Sequence, residues 1–162
     1  GAGFEKGVLF LPQLLQSAGA AQAAFEVVKD AIAASGKKSG GKGKIIVATV
    51  KGDIHDIGKN IVKTLLENYG YDVLDLGRDV AAETVVKAAQ EHGVRLVGLS
   101  ALMTTTLGSM EETICALRRA GLSCRVMVGG AVLTPEYAMH IGADYYAKDA
   151  KQSVDIAREV LG

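Results

Sequence analysis

Between Val50 and Lys59 the chain gathers residue types that can do chemistry: Gly52, Asp53, Ile54, His55, Asp56 and Gly58. A neutral imidazole offers one ring nitrogen to a metal while its other N–H bonds a carboxylate, which fixes the tautomer and raises the basicity of the ligand. His55 is the candidate ligand and Asp53 the candidate carboxylate. Gly52 and Gly58 are expected to let the backbone turn sharply and approach a bulky ligand closely. Zinc takes three or four protein ligands, and no second His or Cys stands at matching spacing. The site therefore suits a metal that arrives with most of its ligands already in place. Gly52 followed by Gly58-Lys59 superficially resembles a phosphate loop, but five residues rather than four separate the glycines, and Asn60 stands where Ser or Thr would hold magnesium.

The elements that must position this loop are legible from periodicity. Short apolar runs alternate with amphipathic stretches: strands at 44–50, 71–76, 94–100, 125–128 and 144–147, and helices at 57–68, 81–92, 107–120, 135–141 and 150–161. Five βα units with continuous apolar strands predict an α/β fold, a parallel sheet covered on both faces. The expected architecture is flavodoxin/Rossmann-like, strand order 2-1-3-4-5, which binds ligands beyond the carboxyl ends of the strands where the winding reverses. That reversal falls between the first and third strands, so the loops at 51–58 and 100–106 should meet there. No Gly-rich dinucleotide fingerprint occupies the first turn.

Ahead of this lies a different composition. Residues 35–43 are Gly, Lys and Ser only and read as a flexible linker. Residues 1–34, rich in Ala, Leu and Gln, read as a helical segment with Pro12 in the first turn of its main helix. The domains expected are thus 1–34, 35–43 and 44–162. Residues 6–20 imitate a signal peptide, but Pro12, Gln13 and Gln16 interrupt the apolar part. The chain starts at Gly1 without an initiator Met and reads as a piece of a longer protein.

Eighteen Lys and Arg cancel eighteen Asp and Glu, so no overall field attracts nucleic acid or an anionic membrane, and no apolar run nears the roughly 20 residues of a membrane span. Cys115 and Cys124 lack the pairing of a thiolate metal site and read as thiols in a reducing cytoplasm. His92 and His140 sit at predicted helix ends and read as structural.

Cobalt in a corrin already has four ring nitrogens, so a single His suffices. Asp53-x-His55-x-x-Gly58, followed by Ser100-Ala101-Leu102 and by Gly129-Gly130, resembles the signature of the B12-binding domains of cobalamin-dependent methionine synthase and related corrinoid proteins, and the likeness runs through residues 44–162. The resemblance implies that His55 ligates cobalt in place of the cofactor's own nucleotide, which inserts beside the first strand. It implies a relay of Asp53 and Ser100 with His55, a nucleotide channel lined by Ser100 and Thr104, a tail passing Gly129 and Gly130, and a tail contact at Ala150. The run Met103-Thr104-Thr105-Thr106 also reads as a plain helix cap.

The segment from Phe4 to Gln13 is similar to the end of the helical cap over the methyl face of cobalamin, with Phe4 and Leu11 matching its two shielding residues. Only the last part of such a cap is present, and half a bundle exposing Phe4, Leu9, Phe10, Leu14 and Leu15 predicts dimerisation or a poorly ordered N-terminus.

The function implied is methyl carriage from methyltetrahydrofolate to homocysteine, with folate and homocysteine domains as partner modules. The alternatives are a corrinoid protein of methanol or methylamine metabolism, an adenosylcobalamin mutase subunit, a B12-binding sensor or regulator, and a receiver-type signalling domain built on Asp53, Asp56 and Lys148.

Overall fold

The computed structural model describes residues 41–162; the expected cap with Phe4 and Leu11, and most of the linker, lie outside them. Among the described residues, β1 (Lys44–Thr49), β2 (Asp72–Asp75), β3 (Leu96–Ser100), β4 (Arg125–Gly129) and β5 (Tyr145–Tyr146) form one parallel sheet in the order β2-β1-β3-β4-β5. This is the flavodoxin/Rossmann-like order that the alternation of elements predicts. The connecting helices are α1 (Ile57–Asn68), α2 (Ala82–His92), α3 (Leu107–Arg119), α4 (Pro135–His140) and α5 (Ala150–Leu161), with a 3-10 turn at Thr104–Thr106 leading into α3.

The strands read as continuous apolar runs because both faces are covered. Ile45 and Val47 of β1, Leu96 of β3 and Met127 of β4 pack with Leu66 of α1 and with Val154, Ile156, Ala157 and Val160 of α5. The alternate residues, Ile46, Ala48, Val97, Leu99, Val126 and Val128, pack with Val85 and Ala89 of α2, Met110, Ile114 and Leu117 of α3 and Ala138 of α4. Each large aliphatic side chain taken from water contributes about 1.5–3 kcal/mol, and both clusters meet on the central strands, so the sheet is the most strongly fixed layer. Local signals end the helices: Gly93 closes α2 in the left-handed conformation at φ +56°, while Thr134 and Asp149 accept from the amides of Tyr137 and Gln152 at the starts of α4 and α5.

The predicted strand at 144–147 shrinks to Tyr145–Tyr146 because it is an edge strand, paired only with β4. Its neighbours still bond: the Asp144 amide donates to the Val126 carbonyl and the Ala147 amide to the Val128 carbonyl. Likewise β2 is shorter than 71–76, although the Leu76 amide still donates to the Val47 carbonyl. The outcome for function is positional. β1 and β3 are neighbours whose connections leave in opposite directions, and their carboxyl ends bring the His55 loop beside residues 100–106.

Candidate functional site

The His55 loop begins with a β-turn in which the Asp53 amide donates to the Val50 carbonyl (3.1 Å). Gly52 stands third in that turn at φ +83°, where a side chain would be strained. Asp53 follows, fully buried. Its Oδ1 accepts the His55 amide (3.0 Å) and faces His55 Nδ1 at 2.8 Å, so one oxygen holds both the backbone and the ring of the same residue. Its Oδ2 accepts the amides of Leu102 (2.7 Å) and Met103 (3.3 Å) and the hydroxyl of Thr106 (3.0 Å).

Burial by itself pushes the Asp53 carboxyl up. The bonds from the His55 and Leu102 amides, the His55 ring and Thr106 outweigh it and hold the group well below the usual carboxylate range. An ionised carboxylate only accepts, so Nδ1 is the donor, and in the neutral ring the lone pair falls on Nε2. The His55 side chain is 45% exposed and lines a cleft of about 850 Å³.

Ile54, Ile57, Ile61 and Leu102 also line that cleft, although they are 60%, 78%, 57% and 43% exposed. Four large apolar side chains left in water around one imidazole mark a surface built to be covered. The sheet side of the cleft is the row Val47, Gly98 and Met127, side by side in register. A Cβ on Gly98 would lie 3.0 Å from Met127 Cε and 3.4 Å from Val47 Cγ1, so this strand glycine keeps the cleft deep. Gly130, at φ +149°, would put a Cβ 1.8 Å from the Ala101 carbonyl oxygen, and Gly129 would put one 3.0 Å from that of Ala147. The glycine pair is thus required by close backbone passage within the chain, and it also forms cleft wall.

Lys59 is 4% exposed. It donates from Nζ to Asp75 Oδ1 (2.6 Å) and to Asn60 Oδ1 (2.9 Å), which pins the first turn of α1 to the end of β2. Burial raises the Asp75 carboxyl, but Lys59, the Gly77 amide and Lys63 together hold it below its ordinary value.

The structure brings most of the expected residues together. Ile54, His55, Asp56, Gly58, Ser100, Leu102, Gly129, Gly130 and Ala150 all line the cleft, with Asp53 behind the imidazole. Four expectations change. Ser100 is not joined to the Asp53–His55 pair: it faces the same side of the sheet as Thr49, its partner across the strands, and their hydroxyls bond at 2.9 Å. The hydroxyl that does reach Asp53 belongs to Thr106. Thr104 is exposed on the 3-10 turn and forms no part of the cleft wall, because that tight turn aims successive threonines in different directions and buries only Thr106. Gly58 lies inside α1 and makes no sharp turn; a Cβ there would meet open space.

Nor do the threonines cap α3 through their side chains; the single hydroxyl proton of Thr106 is directed at Asp53 Oδ2 (3.0 Å) and shared with the Met103 carbonyl (2.9 Å). Sequence reasoning missed Thr106, Gly98, Thr49 and the Lys59–Asp75 pair. The one available signal was Gly98 breaking an apolar strand.

These residues fit a corrinoid. Among the described residues no group of three or more His, Cys, Asp or Glu side chains could hold a metal ion. His55 offers one nitrogen, the arrangement that suits a metal already bound in a macrocycle, and the glycine-walled cleft leaves room for a tail. No described helix is long and apolar enough to cross a membrane.

A family model described as the B12 binding domain matches residues 43–155. The chain is 45% identical over 160 residues to dimethylamine corrinoid protein 1 of Methanosarcina acetivorans, covering 98% of this chain and 75% of that one. Among solved structures it is similar to a cobalamin-binding protein from Desulfitobacterium hafniense, with TM-score 0.77, 36% identity, and 99% and 76% of the two chains covered. It is also similar to a chain of the methanol:cobalamin methyltransferase complex from Methanosarcina barkeri, with TM-score 0.80, 34% identity, and 99% and 61% covered. Two of these relatives are named for dimethylamine and methanol, so the comparisons favour the small corrinoid protein, given above as an alternative, over methionine synthase.

Proposed function

The chain belongs to the B12-binding domain family, and we propose that it is a corrinoid-bearing methyl carrier serving methyltransferases that draw on small methylated compounds such as methylamines or methanol. A bound corrinoid supplies reversible transfer of a methyl group at its cobalt. The observation that carries the reading is the His55 ring, with Nδ1 committed to buried Asp53, Nε2 without a hydrogen-bond partner among the described residues, and the side chain lining a large cleft.

His55 is the residue that would hold the cobalt. Asp53 keeps the ring oriented and basic, and the amides of His55 and Leu102, with the Thr106 hydroxyl, keep Asp53 ionised. Val47, Gly98 and Met127, with Gly129, Gly130, Ser100 and Ala150 nearby, would accept the nucleotide tail. The relatives' names support a separate methyltransferase partner that activates the donor. The cap roles of Phe4 and Leu11 and the self-association of the N-terminal segment belong to the same proposal.

Reconstitution with methylcobalamin tests it. The wild type should give the visible spectrum of a histidine-ligated corrinoid, and His55→Ala the spectrum with no nitrogen ligand below the metal. No corrinoid retained, or an unchanged spectrum in the variant, would overturn it. The substrate class is checked by supplying the reduced holo-protein with methyltransferases for dimethylamine, monomethylamine or methanol in turn. Methylation through a methyltetrahydrofolate domain alone would return the methionine synthase reading.

A further inference from the structure

One residue outside the cleft grips the His55 loop by its backbone. Asp79, in the connection from β2 to α2, is the one non-glycine residue with positive φ (+54°) among those described. Its amide donates to the Asp53 carbonyl (3.0 Å) and its Oδ1 accepts the Gly52 amide (2.7 Å). The two ends of the Gly52–Asp53 dipeptide are therefore held by a single side chain and its own backbone. The connection is itself anchored, because the Val80 amide donates to the Thr49 carbonyl (3.0 Å), the Thr49 amide donates to the Gly77 carbonyl (2.9 Å), and Val50 and Val80 form a parallel bridge.

The left-handed conformation is costly for L-residues and least so for Asn and Asp. Such a residue persists only where its surroundings over-determine it. Glycine would take the backbone angle freely but offers no acceptor to Gly52, and a longer or branched side chain would add strain. Aspartate and asparagine meet both demands. The carboxylate is also exposed, so a bond maintained there against water has a geometric purpose more than an energetic one.

We propose that Asp79 is a positioning residue for His55: by clamping Gly52 and Asp53 it sets how the imidazole stands in the cleft, and so how readily His55 ligates the metal. This rests on the reading of His55 as the cobalt ligand. Asp79 touches neither the cleft nor the ring and acts through the loop backbone alone.

The test uses the whole 162-residue chain as Asp79→Asn, Asp79→Gly and Asp79→Ala. With methylcobalamin bound, the visible spectrum reads the ratio of histidine-ligated to histidine-free cofactor. Asp79→Gly, which carries no backbone strain, and Asp79→Ala should lower that ratio about 3- to 10-fold, less than the roughly 10- to 100-fold typical of a direct partner of a ligating His. Asp79→Asn, which keeps an acceptor, should restore the wild-type ratio. A wild-type ratio in Asp79→Gly, or an equal loss in Asp79→Asn, would overturn the proposal.

A second arm needs no cofactor. Amide exchange at Gly52 and the NMR signal of the His55 Nδ1 proton in the apo protein should change in Asp79→Gly and recover in Asp79→Asn; unchanged signals in Asp79→Gly overturn the proposal. If even the wild type retains no corrinoid, the functional reading fails while this arm still decides the clamp.

Discussion

Two aspartates at opposite ends of the sheet take similar charges to different ends. Asp144 precedes β5 at the amino edge. It accepts the Val126 amide and pairs with Arg118 and Arg125. Asp53 follows β1 at the carboxyl edge and accepts three backbone amides, one hydroxyl and one imidazole. Burial pushes both carboxyls up, and in both the hydrogen bonds win and hold them low. At Asp144 two guanidiniums answer the charge and the arrangement closes on itself. At Asp53 neutral donors answer it, and one of them, His55, has a second nitrogen left over. Both carboxylates are held low, and of the two only Asp53 has a partner with unused chemistry, which is what separates a candidate site from a structural ion-pair network.

The largest expected effect tests this contrast directly. Asp53→Ala removes the shared acceptor of the buried Thr106 hydroxyl and of four part-buried donors, and a donor left unpaired out of water costs about 1–3 kcal/mol. Urea denaturation should therefore show a loss of roughly 3 kcal/mol or more, and corrinoid bound to the variant should lack the histidine-ligated spectrum. Asp144→Ala should cost about 1–3 kcal/mol and leave that spectrum intact. Loss of ligation in both variants would erase the distinction.

The next effect separates two hydroxyls. Thr106→Val removes the side-chain donor to Asp53 with little change of shape and should weaken histidine ligation about tenfold, the low end for an outer partner of a metal ligand. Ser100→Ala should leave ligation alone and weaken corrinoid affinity, read by equilibrium titration. The opposite pattern would restore the Asp53–Ser100–His55 relay expected from the sequence.

The smallest effect is a pH dependence. Asp144 has a folded value below its ordinary 3.8, so its contribution to stability is fully present above that value and lost as pH falls through the folded one. Wild type should exceed Asp144→Asn in urea stability near neutral pH, and the gap should close on acidification. A gap that persists in acid would mean that Asp144 acts by shape and not by charge.

Much of the fold was legible because it rests on local periodicity. Apolar runs bounded by Gly-rich turns placed every strand, and helix α1 was read at 57–68 as observed. The ends of β2 and β5 were not legible, since pairing at a sheet edge depends on a neighbour that the local sequence does not show. Within the site, the adjacency of Asp53 and His55 was readable because two residues of separation suffice for an Asx-type turn, and Ile54, Gly58 and Leu102 follow from their places in the motif.

What the sequence by itself determined was the order of the elements, the loop that sets His55 beside Asp53, and the kind of nitrogen atom that loop presents, since these depend on residue type and short spacing. The tertiary structure alone decided that Thr106, and not Ser100, meets Asp53 across 53 positions, that Gly98 deepens the cleft between Val47 and Met127, and that Asp79 closes on Gly52. The reason is common to all three. Each contact is a choice among side chains that are equally able as donors, acceptors or gaps, and only the register of β1 against its neighbours and the aim of one 3-10 turn select among them.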